Sequence, residues 1–170
     1  GPTAGGKSEA ALKLAHQRNG VIINADSMQI YADLRILSAR PDESETEGIL
    51  HLLYGYADAW SHGNVMEWVL KAADMINTYR ECIVVGGTGM YLDALMHGMS
   101  DIPEVDPDIR SFVRTMPIEE VKARVQACSA TDDQRLSRAL EVQLSTGKPL
   151  SFFLNKPRRT FVEADFVPIL

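Results

Sequence analysis

Apolar residues in this chain fall into two patterns. Val21-Ile22-Ile23 and Cys82-Ile83-Val84-Val85 are short, solid, β-branched runs, the pattern of strands buried on both faces of a parallel sheet. Between and after them the spacing becomes helical. Glu9 to Ala15 is a good helix former, and Val65, Trp68, Val69, Ala72, Ala73 and Ile76 make one stripe within 65–80. Met90 to Leu95, 117–127 and Arg135 to Ser145 also read as helices, the last with Leu136, Ala139, Leu140 and Leu144 as its apolar face.

Punctuation agrees with these elements. Gly20 is the expected C-cap of the first helix and Gly98 closes the helix after the second strand. Asp106 is placed to cap a helix whose first turn holds Pro107 and which carries Arg110. Thr131-Asp132-Asp133-Gln134 reads as a capping box for the Arg135 helix, which Gly147 ends. His51 to Tyr56 is a turn-bounded apolar segment, and Phe166 to Leu170 reads as a last strand. Strands alternating with helices predict an α/β fold: one domain over 1–170 with a parallel sheet flanked by helices.

Composition narrows the class. At 170 residues, 45% apolar and 24% charged, the chain can bury an ordinary globular core. A net charge of −6 excludes a dedicated basic nucleic-acid module but permits a local patch, and Lys148, Lys156, Arg158 and Arg159 form the most basic stretch. Cys82 and Cys128 are too few for a disulfide scaffold and lack metal-ligand spacing, and read as small buried or half-buried apolar residues. With no transmembrane-length run and no signal-peptide pattern, a cytoplasmic protein is expected.

The most specific chemistry is at Gly1-Pro2-Thr3-Ala4-Gly5-Gly6-Lys7-Ser8, which matches the phosphate-loop pattern G-x-x-x-x-G-K-[ST]. Glycines let backbone N–H groups wrap phosphate oxygens, Lys7 supplies a point charge, Ser8 offers a hydroxyl to Mg²⁺, and the following helix adds its positive end. A P-loop normally hangs from a central strand, so a first strand is expected ahead of Gly1. Asn24-Ala25-Asp26-Ser27-Met28-Gln29 leaves the carboxyl end of the first predicted strand. Asp26 is thus placed to face whatever the loop holds, or else it caps the next turn. Gly86-Gly87-Thr88-Gly89 makes a second strand-to-helix turn at the same edge, where N–H groups and the Thr88 hydroxyl converge. Arg135 and Arg138 share a helix face as a two-cation site or as a solvated stripe paired with acids such as Glu141.

Six blocks in one order now carry a resemblance. They are the P-loop, Asn24 to Tyr31, Ser38-Ala39-Arg40-Pro41, His51-Leu52-Leu53-Tyr54-Gly55, Val85 to Tyr91 and Asp133 to Val142. Together the chain resembles the tRNA dimethylallyltransferases, also called tRNA isopentenyltransferases. The resemblance implies a P-loop NTPase-like α/β fold, here without its first strand and with a shortened helical insertion at about 99–130. It implies transfer of a dimethylallyl group from dimethylallyl diphosphate to the N6 amine of the adenine beside the anticodon, with Mg²⁺. The loop from Gly1 through Pro2, Thr3, Ala4, Gly5, Gly6 and Lys7 to Ser8 would then grip a diphosphate rather than ATP, with Ser8 on the metal. Asp26, Lys7 and Thr88 would be catalytic. Asp26, Ser27, Met28, Gln29, Thr88, Arg110, Gln134, Arg135, Leu136, Ser137 and Arg138 would meet the tRNA anticodon stem-loop. A monomer is expected. From the residues alone, three other readings stay open: a P-loop small-molecule kinase, an adenylate isopentenyltransferase, and a family fragment that binds without catalysing.

Overall fold

The computed structural model describes residues 5–61, 63–126 and 128–169. They group into two compact units, 1–98 with 160–170, and 99–159.

The first unit is built on a three-stranded parallel sheet, β1 Val21–Asn24, β2 His51–Leu52 and β3 Cys82–Val85, in the order β2-β1-β3. Central β1 is buried at every position, while β3 is only half-buried. Helix α1, Lys7–Arg18, lays Ala11 and Ala15 over Ile22, Ile83 and Val85. The small alanines let the helix sit close to the sheet. Its C-cap is Asn19 in the left-handed region at φ 51°, one residue before the expected Gly20. Asn is the other residue type that tolerates this conformation. Helix α2, Val65–Thr78, is capped by Asn64, whose side chain accepts from Glu67 N at 2.7 Å, and buries Trp68, Val69, Ala72 and Ala73. It meets α3, Gly89–His97, through a stacked Trp68–Tyr91 pair with centroids 4.5 Å apart. Phe166 to Ile169 is not a strand. The run has no ladder partner among the described residues, and Val167 and Ile169 are exposed.

The second unit is helical: α4 Pro107–Thr115, α5 Ile118–Arg124, α6 Asp133–Thr146 and α7 Leu150–Leu154. An antiparallel bridge between Met99 and Arg159 ties its two ends together. Asp106 caps α4 as expected, accepting from Asp108 N at 2.8 Å. At α6 the cap is Asp132 alone, accepting from Arg135 N at 2.9 Å, so helix begins at Asp133 and the anticipated capping box does not form. Leu136 and Leu140 pack with Val113 and Val121, while Val142 packs with Val105 and Phe153 on another side. Because α6 is covered on two sides, a single-stripe reading fails for Leu144, which is exposed.

Candidate active site

Gly6, at φ 69°, is the N-cap of α1 and makes no side-chain cap. Left-handed backbone turns the chain into the helix there, a conformation that favours glycine. Lys7 and Ser8 open the first turn, where backbone N–H groups lack intrahelical acceptors. Gly1, Pro2, Thr3 and Ala4 of the expected loop lie outside the described residues. Ser8 lines a cleft of 230 Å³ with Glu45, His51, Tyr54 and Val85 among its walls.

At the carboxyl end of β1 the buried Asn24 acts as a hub. Its amide donates to the carbonyls of Asp26 and Leu53, each at 3.0 Å, and its oxygen accepts from Asp26 N at 2.9 Å. Its own carbonyl accepts from the buried Trp68 Nε1 at 2.7 Å. The strand end, the β2 exit and α2 are thereby joined by neutral hydrogen bonds with no water in between, a geometry that resists salt. Asp26 is held by this hub. Its Oδ1 accepts from Met28 N at 2.9 Å, so the turn-capping alternative is realised in part. Its Oδ2 faces Gly87, where an added Cβ would stand 3.5 Å away.

Thr88 N donates to Ala25 O at 3.1 Å, and Thr88 Oγ1 accepts from Ser27 N at 2.9 Å and donates to Ser27 Oγ at 3.2 Å. Thr88 is the N-cap residue of α3, yet its hydroxyl turns to Ser27 rather than to the helix. Both α1 and α3 therefore begin without a side-chain cap. This close approach of the two turns requires Gly86, since a Cβ there would overlap the Ala25 carbonyl.

Burial, with the Asp26 charge as the second cause, pushes the Tyr54 phenol up to about 12. Tyr54 belongs to the Ser8 cleft. Ser27 and Thr88 belong to a second cleft of 280 Å³, whose other walls include Ile30, Tyr31, Met90 and Tyr91. Each cleft thus contributes a neighbour to Asp26. Gln29 is committed to structure, its amide donating to Ser38 O at 2.9 Å and Ala39 O at 3.2 Å. Met28 is exposed.

In the helical unit, Gln134 and Arg135 are exposed and Ser137 and Arg138 are half-buried. Arg135 Nε lies 3.4 Å from Asp132 Oδ2. Arg138 donates to Glu141 Oε2 at 3.2 Å, and Arg110 Nε lies 3.6 Å from the same oxygen. Leu136 departs from its expected role. Its side chain is buried in the Val113–Val121–Leu140 cluster and is not available to RNA.

The family model for IPP transferases matches residues 29–169. The chain belongs to that family. A curated tRNA dimethylallyltransferase of Azorhizobium caulinodans is 44% identical over 96% of this chain and 57% of its own length, and one of Agrobacterium fabrum is 43% identical over 90% and 57%. The chain therefore spans a little over half the length of these relatives. Among solved structures, a eukaryotic dimethylallyltransferase described as acting on tRNA matches with a TM-score of 0.76 at 26% identity, covering 95% of this chain and 44% of that one. The tRNA isopentenylpyrophosphate transferase of Bacillus halodurans matches with a TM-score of 0.58 at 32% identity, over 88% of this chain and 55% of that one.

Within this IPP transferase fold, two residues that hold the strand end and loops in place escaped sequence reasoning. Asn24 is one, and its signal was a lone amide ending an otherwise apolar buried strand. Arg40 is another: its guanidinium lies where a Gly55 Cβ would be and donates to Ala32 O at 3.2 Å. Nothing in the linear pattern joins positions 40 and 55. No helix among the described residues is long and apolar enough to cross a membrane, and none of their His, Cys, Asp and Glu side chains form a group of three able to hold a metal.

Proposed function

We propose that this chain carries the transfer site of a tRNA dimethylallyltransferase. It moves the dimethylallyl group of dimethylallyl diphosphate to the N6 amine of the adenine next to the anticodon, acting as a monomer in the cytoplasm. In the same reading residues 1–170 form one P-loop domain, with 99–130 as its reduced helical insertion. The observation that carries the proposal is Asp26, a carboxylate fixed at the carboxyl end of the central strand with only one oxygen bonded among the described residues.

In the reaction the N6 nitrogen forms a bond to the allylic carbon. The bond from that carbon to the diphosphate oxygen breaks, and diphosphate leaves with the electron pair. Asp26 accepts the amine proton as general base. Lys7 and the uncapped N–H groups of α1 offset the charge gathering on the diphosphate. Thr88 orients Ser27 beside Asp26 through the bonds already described. An isolated hydroxyl such as Ser8 suits Mg²⁺, which takes few protein ligands and relies on phosphate oxygens and water; bound there with the diphosphate, it would supply Lewis-acid neutralisation of the leaving group. Ser27, Met28, Thr88, Arg110, Gln134, Arg135, Ser137 and Arg138 would meet the RNA, with Gln29 shaping the loop.

Single-turnover transfer to an anticodon stem-loop tests this. Asp26→Asn should lower the rate about 10²- to 10⁴-fold while dimethylallyl diphosphate binding stays unchanged. An Asn variant with the parent's rate would refute the base assignment, and phosphoryl transfer from ATP without allyl transfer would favour a kinase.

A further inference from the structure

Glu141 is the one buried carboxylate among the described residues, lying on α6 where an apolar residue would satisfy the helix pattern. A buried acid is costly unless its charge is met by partners. Two guanidiniums meet it at a single oxygen, Arg138 from the same helix at 3.2 Å and Arg110 from α4 at 3.6 Å. Both arginine side chains remain more than one-third exposed, at 38% and 44%, so each keeps N–H donors facing solvent. Without the acid, two like charges from different helices would repel each other, and long side chains would sample many rotamers.

We propose that Glu141 is a positioning residue, holding Arg110 and Arg138 as a preset pair of donors for one stretch of RNA phosphate backbone. The proposal rests on the tRNA-transferase reading. Glu141 touches no RNA itself. It fixes the direction of two forks whose outer edges match phosphate oxygens bidentately.

The sign of the effect separates positioning from mere charge balance. Glu141→Gln keeps size and one acceptor but makes the unit more positive. If Glu141 only neutralised charge, RNA would bind the variant more tightly. If it positions the arginines, affinity falls in spite of the added positive charge.

The measurement is binding of an anticodon stem-loop to the full chain by fluorescence anisotropy, with arginine Nε–H signals followed by ¹⁵N spectroscopy as a readout that needs no RNA. Glu141→Gln should weaken binding about tenfold, within the range seen for residues sharing one ion-pair network, and should broaden the Arg110 and Arg138 signals. On an Arg138→Ala background the same change should cost much less than on the parent, because its effect runs through that arginine. Unchanged arginine signals, or unchanged or tighter RNA binding, would overturn the proposal. So would equal losses on both backgrounds, the mark of a structural role. A parent chain that binds the stem-loop no better than an unrelated hairpin would instead overturn the tRNA reading, and the positioning role for RNA would fall with it.

Discussion

The two units solve the same problem, holding polar groups still, in opposite ways. The sheet unit contains seven lysines and arginines against fourteen acids, a net charge of −7, whereas the helical unit has ten against nine, a net of +1. In the sheet unit, the Asp26 backbone, Ser27 and Thr88 are set by neutral hydrogen bonds among Asn24, Thr88 and main chain, with only the Asp26 carboxylate drawing on a charge, through Met28 N. In the helical unit, Arg110 and Arg138 are set by one buried charge. Neutral, enclosed bonds are little affected by ionic strength, while partly exposed ion pairs weaken as salt rises. Under the proposed function, that difference would suit a fixed reaction centre in the sheet unit and a salt-sensitive grip on RNA in the helical unit. All five tyrosines and both tryptophans lie in the sheet unit, so optical probes follow that unit alone.

The largest effect expected is from Gly86→Ala. The new methyl would overlap the Ala25 carbonyl, and neither strand end can retreat without breaking the β1–β3 ladder or the Thr88 N to Ala25 O bond. Overpacking against backbone should destabilise the sheet unit by roughly 3 kcal/mol or more, read by urea unfolding with tryptophan fluorescence. A variant as stable as its parent would contradict this close approach of the two turns.

An intermediate effect is expected in alkali. Tyr54 and Tyr56 are both pushed up to about 12 from 10.0, chiefly by burial, with Asp26 the second cause for Tyr54 and Tyr91 for Tyr56. The unfolded chain releases these protons near 10.0 while the native chain keeps them, so the native state binds more protons between the two values. The phenols' share of stability should therefore hold below pH 10 and fall from there to about pH 12, while the Cys82 thiol, pushed up chiefly by burial, begins its own loss nearer 9.0. Phenolate absorbance should show Tyr54, Tyr56 and Tyr91, whose phenol burial also pushes up, titrating late. All five titrating together near 10 would mean the Tyr54 cleft is open to water.

How much of this was readable in the linear chain follows from the range of the interactions involved. Strands β1 and β3, helix α2, the Asp106 cap and the Gly147 stop are local patterns, and the sequence reading recovers them within a few residues. The place of Asp26 just beyond β1 was legible because the end of a parallel strand is a position defined by the fold class. The hub was not. Asn24 bonds Leu53, 29 positions away, and accepts from Trp68, 44 away, distances that no periodicity encodes. Leu144 failed for a related reason: which face of α6 is covered depends on α7 and on Val105, not on α6 itself. Phe166 to Ile169 has strand-like composition, but a strand is defined by its neighbour.

The smallest structural effect, and the sharpest contrast with Glu141, is expected at Arg135. Its side chain is 80% exposed and its only described ionic partner is Asp132, at 3.4 Å. The bond that caps α6 runs from Arg135 N to Asp132 Oδ1 and is made by backbone, so Arg135→Ala leaves it in place. Exposed pairs three residues apart contribute little, and stability should change by no more than about 0.5 kcal/mol. Binding of the stem-loop should nevertheless weaken, and the slope of log affinity against log salt should become shallower by about one phosphate contact. Glu141→Gln should differ in kind, since both arginine charges remain and only their direction is lost, leaving the number of phosphates neutralised, and hence the slope, nearer the parent's. An Arg135→Ala variant with the parent's affinity and slope would take Arg135 out of the RNA surface. A marked loss of stability would show that the side chain serves the start of α6 instead.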